Sequence, residues 1–66
     1  MDIAYKIRRA RLKKGYSQDY MACQLDLSTK TYRNLESGKS KIDINRLINI
    51  SEILEIKRLL IYLALR

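Results

Sequence analysis

A chain of 66 residues has room for one small core and no second one. Fourteen Lys and Arg against seven Asp and Glu leave a formal charge of +7, so the expected partner is polyanionic, with nucleic acid ahead of an anionic membrane. No histidine, one cysteine and scattered carboxylates exclude the usual zinc sites and the paired nucleophile and base of covalent catalysis, so neither an enzyme nor a cofactor is expected.

Ile3, Ile7 and Ala10 recur at helical spacing among Tyr5, Lys6, Arg8, Arg9 and Lys13, which predicts an amphipathic helix over 3–13 ended by Gly15. Ser17 is a good N-cap for a second helix over 18–25, with Met21, Ala22 and Leu25 as its apolar stripe and Asp19 placed to suit the helix dipole. Asp26 and Leu27 leave only a tight turn before Ser28 caps a third helix, through Thr29, Tyr32 and Leu35 to about Ser37. Gly38 stands at the position of a left-handed C-cap, and 39–42 form a basic connector. Asp43 caps a fourth helix whose inward face is Leu47, Ile50 and Leu54; its end near Glu55 carries no glycine or proline to mark it.

The last segment, 57–65, is apolar on nearly every side. A helix of that kind must be buried on more than one face, which one small domain cannot provide, so a second copy is expected against Leu59, Ile61, Tyr62 and Leu65. Its unbroken apolar run, 59–65, is far short of the roughly 20 residues that cross a bilayer, so no membrane partner is expected. A lone cysteine and the lack of a secretory pattern at the N-terminus point to the cytoplasm.

Two short helices joined by a tight turn in a basic surround have the proportions of the unit that places a helix in the DNA major groove. Ile7-Arg8, Arg11, Gly15, Ser17-Gln18, Met21-Ala22, Leu25, Leu27-Ser28, Tyr32, Leu35-Glu36, Gly38-Lys39, Leu47, Ile50 and Leu54 resemble, at their spacings, the XRE or Cro/cI-type helix-turn-helix family over about 3–56. The resemblance implies an all-α, compact five-helix, lambda-repressor-like domain over 1–66, with the helix-turn-helix unit at about 17–37 and a dimerisation helix at about 57–65. It implies a homodimeric transcriptional regulator, most readily a repressor or autoregulator, bound to a roughly palindromic double-stranded DNA operator.

Site residues follow from the same resemblance, each with a chemical reason. Ser28, Thr29, Lys30, Arg33 and Asn34 would face the groove: Lys30 and Arg33 can donate to guanine, Asn34 can pair with adenine, and the Thr29 methyl can touch a thymine methyl. Ser17, Gln18, Ser37, Lys39 and Lys41 would approach phosphates, Gln18 while bracing the next helix. Arg11 and Glu36 would form a partly buried ion pair between the first helix and the end of the third. The pattern is broken by Asp26, where the family prefers glycine in the turn, by Tyr32 in place of a branched aliphatic and by Met21 in place of leucine. A rival of another class is an antitoxin-like protein-interaction module that keeps the fold with weak or no specific DNA binding; the basic residues along the third helix and the loop after it argue against that reading. Cys23 reads as an inert small hydrophobe, and Tyr5, Tyr16 and Tyr20 as packing and rim residues.

Overall fold

The computed structural model describes residues 3–56. They form four helices and no strand: α1 (Ile3–Lys14), α2 (Gln18–Gln24), α3 (Thr29–Glu36) and α4 (Ile44–Leu54). The fifth helix expected over 57–65 lies outside the described residues, and with it Leu59, Ile61, Tyr62 and Leu65.

Three of the four helices start as the sequence predicts, on a side chain that accepts one of the backbone N–H groups left over at a helix N-terminus. The Ser17 hydroxyl accepts from the Tyr20 amide at 2.9 Å, that of Ser28 from the Thr31 amide at 3.1 Å, and the Asp43 carboxylate from the Arg46 amide at 2.7 Å. Each such cap contributes about 1 kcal/mol.

All four described helices end in one motif, the paired backbone bonds of a Schellman turn around a left-handed residue. After α1, Gly15 donates to the Leu12 carbonyl and Tyr16 to that of Arg11. After α2, Asp26 donates to Cys23 and Leu27 to Ala22; after α3, Gly38 to Leu35 and Lys39 to Asn34; after α4, Glu55 to Glu52 and Ile56 to Ser51. The left-handed positions are Gly15 (φ 79°), Asp26 (φ 58°), Gly38 (φ 83°) and Glu55 (φ 55°). Glycine takes this conformation without strain; for the two acids it costs on the order of 1 kcal/mol, somewhat less for Asp. Asp26 thus takes in the turn the left-handed conformation that suits the glycine the family prefers there, and Glu55 supplies the helix end that no glycine announces.

The residue after each left-handed position shows where the chain goes next. Tyr16, Leu27 and Ile56 fold back as partly buried hydrophobics against the core, whereas Lys39 after α3 is exposed. That core is built from Ile7 and Ala10 of α1, Met21 and Ala22 of α2, Leu25, Tyr32 of α3, and Leu47, Ile50 and Leu54 of α4. It holds the apolar positions predicted for α2 and α4 and Ile7 and Ala10 of α1; Ile3 is only partly buried against it, and Leu35 and Ala4 are buried outside this cluster. Helix α3 packs on α2 and α1, and α4 packs on α1, so α3 is held from two sides and keeps one face outward.

Candidate nucleic-acid interface

Glu36 organises the end of α3. Its buried carboxylate accepts from Arg11 Nε (2.7 Å) and the Tyr32 hydroxyl (2.6 Å) on Oε2, and from Arg11 Nη2 (2.9 Å) and Gln18 Nε2 (3.1 Å) on Oε1. Arg11 Nη1 donates to the Tyr16 carbonyl at 2.8 Å, so the guanidinium also pins the turn between α1 and α2. Burial pushes the Glu36 carboxyl up, but hydrogen bonds from Arg11, Tyr32 and Gln18 together with the Arg11 charge outweigh it and hold the pKa below its ordinary value. Tyr32 is pushed far the other way, first by burial and then by its bond to Glu36, so it remains a donor. Arg11 and Glu36, named from the sequence, are thus brought together. The part played by Tyr32 was missed: read there only as a bulky core residue, it is the fully buried donor one helical turn before Glu36.

Gln18 carries this buried cluster to the surface. Its Nε2 is on Glu36, and its Oε1 accepts from Arg33 Nε at 3.1 Å. The next residue makes a parallel link, with Asp19 Oδ1 accepting the Thr29 hydroxyl at 2.7 Å. Two consecutive residues in the first turn of α2 therefore each hold one side chain of α3. The sequence offered Asp19 only as a favourable charge at a helix start; its 10-residue separation from Thr29 becomes a contact because the turn folds α3 back beside α2.

The remaining side chains of the expected site fall into two kinds. Ser17, Ser28 and Ser37 have their hydroxyls engaged at helix ends: Ser28 donates to the Thr31 hydroxyl at 2.9 Å besides capping α3, and Ser37 donates to the Asn34 carbonyl at 3.2 Å. Lys30, Arg33 and Asn34, spaced to share one face of α3, lie outward, the first two exposed and Asn34 half-buried. Lys30 makes no hydrogen bond or ion pair among the described residues. Arg8, Arg11, Gln18, Glu36 and Ser37 border an open depression.

A family model for the helix-turn-helix matches residues 7–61. The chain belongs to the XRE-type helix-turn-helix family. Comparisons with curated proteins and with solved structures found no match. In this helix-turn-helix domain α2 and α3 are the paired helices, joined by the Schellman end at Asp26 and the cap at Ser28. Lys39 and Lys41 stand exposed on the connector after α3, with no ion pair among the described residues. Among the described residues no group of three or more His, Cys, Asp or Glu could hold a metal ion, and no helix is long and apolar enough to cross a membrane.

Proposed function

We propose that this helix-turn-helix protein binds double-stranded DNA sequence-specifically as a homodimeric transcriptional regulator, acting as a repressor or autoregulator. The reading rests above all on the outward strip of α3, where, among the described residues, Lys30 is uncommitted and Arg33 is braced by Gln18 with its guanidinium end left over. Set into a major groove, Lys30 and Arg33 are donors for guanine O6 and N7, Asn34 suits adenine, and Ser28 and Thr29 lie at the leading end of the helix. Lys39 and Lys41 meet phosphates as point charges, joined by Ser17 and the second Nε2 hydrogen of Gln18, and by Ser37 once its hydroxyl exchanges the Asn34 carbonyl for a phosphate oxygen. Arg11 and Glu36 serve the fold, keeping α3 at its angle.

The two-fold arrangement draws on the apolar segment 57–65, with Leu59, Ile61, Tyr62 and Leu65 as the seam, and it calls for operator half-sites about one helical turn, near 34 Å, apart. Selection of sites from random duplex DNA at low and moderate salt is the test. A two-fold motif supports the reading; binding that is salt-sensitive and blind to sequence overturns it and favours the protein-interaction alternative. Within a selected site, Lys30→Ala with Asn34→Ala lowers discrimination among sequences, whereas Lys39→Ala weakens all duplexes alike and reduces the salt slope by about one unit.

A further inference from the structure

Thr29 is bonded to Asp19 in a way that decides what it can say to a base. A hydroxyl has one hydrogen to give and lone pairs to accept with, and a free one rotates to serve either a donor or an acceptor, so it discriminates poorly. A carboxylate can only accept. In the 2.7 Å bond between Thr29 Oγ1 and Asp19 Oδ1 the hydrogen is therefore threonine's, and it is spent.

We infer that Asp19 is a specificity-determining residue: by accepting the Thr29 hydroxyl's one hydrogen bond it leaves Thr29 able only to accept, so the base opposite must present an exocyclic amine. This rests on the DNA-reading role of α3 proposed above. In the major groove the amine-bearing bases are adenine, through N6, and cytosine, through N4; guanine O6 and thymine O4 would meet a lone pair instead of a hydrogen. The leading end of α3 then has a fixed polarity. Thr29 accepts, Lys30 and the free end of Arg33 donate, and both Thr29 and Arg33 are held by neighbouring residues of α2. Asp19 needs no base contact for this. Its negative charge beside the DNA opposes binding of every sequence, so its effect on affinity and its effect on selectivity have opposite signs.

That opposition supplies the test. The full chain, Asp19→Ala and Thr29→Val, each checked for a cooperative helical melt, are put through site selection from random duplex DNA and then competition with duplexes varied at each selected position. The wild type is expected to exclude guanine and thymine at one position of the motif, and both variants to lose about tenfold of that discrimination. Asp19→Ala is also expected to bind unrelated duplexes more tightly, which mere damage to α2 would not do. If Asp19→Ala does not fold, Asp19→Asn carries the comparison, since it keeps the shape, removes the charge and can give Thr29 a hydrogen instead of accepting one. A wild-type motif unchanged in both variants overturns the role of Asp19 and leaves the DNA reading standing. So does a thymine preference that survives Thr29→Val, which would assign the contact to the methyl group. Failure of the wild type to select any motif overturns the DNA reading itself.

Discussion

Helix α1 sends two cations to acids at the ends of other helices, and the two pairs have the same length. Arg11 Nε lies 2.7 Å from Glu36 Oε2, and Lys14 Nζ lies 2.7 Å from Glu55 Oε1. The first pair has side chains 9% and 3% exposed; the second, 33% and 70%. Glu36 also has Tyr32 and Gln18 as partners, whereas Glu55 has only the lysine among the described residues. Distance therefore says little about what a charge pair contributes. In the buried pair removal of one partner strands an ion away from water, while in the exposed pair water takes the vacated place.

Arg11→Ala is the largest test of that contrast. It leaves Glu36 buried with neutral donors only and is expected to cost about 3 kcal/mol in a urea melt. That is a third or more of the whole stability expected of so small a domain, at roughly 0.05–0.15 kcal/mol per residue. A midpoint unchanged from wild type would refute the structural role given to the pair. Tyr32→Phe keeps the ring and removes one hydrogen bond to a charged acceptor, so a smaller loss, about 1.5 kcal/mol, is expected.

Acid sharpens the same comparison. The folded-state pKa of Glu36 is depressed, so its contribution is fully present above the ordinary carboxyl value of 4.5 and is lost as pH falls through the lower, folded value. Stability followed from neutrality into acid is expected to hold down to that ordinary value and fall beneath it. Glu36→Gln should start lower and show less of the fall; an identical acid limb in wild type and variant would mean that other carboxylates carry it.

Much of this was legible from spacing alone. The caps at Ser17, Ser28 and Asp43, the inward faces of α1, α2 and α4, and Gly38 as the left-handed end of α3 all follow from local rules, because each depends on residues within a turn or two of one another. The helix ends differ by a single residue from the predicted bounds in α1, α2 and α3, where the Schellman turn shares its residues between helix and loop. The connections from Gln18 to Arg33 and from Asp19 to Thr29 were not legible, since a polar pair across two helices leaves no periodic trace and depends on the crossing of α2 and α3. Tyr32 was half legible: its place in the core could be read, but its hydroxyl has a purpose only once Arg11 has brought Glu36 inside. Glu55 at φ 55° went unseen because nothing in its type favours a left-handed residue.

The exposed pair offers the smallest effect and the most pointed one. Lys14 hydrogen-bonds Glu55 and holds its carboxyl below the ordinary value, yet both groups lie in water, where screening by salt removes most of such an interaction. Lys14→Ala is therefore expected to leave the thermal midpoint where it is in moderate salt. Glu55→Gly deletes the same pair from the other side and also relieves a side chain held in the left-handed region at the end of α4. If the pair contributes little, relief of the backbone dominates and the glycine variant melts higher than wild type. If both variants melt lower, the exposed pair is holding α4 to α1 after all, and the distinction drawn from burial fails at this position.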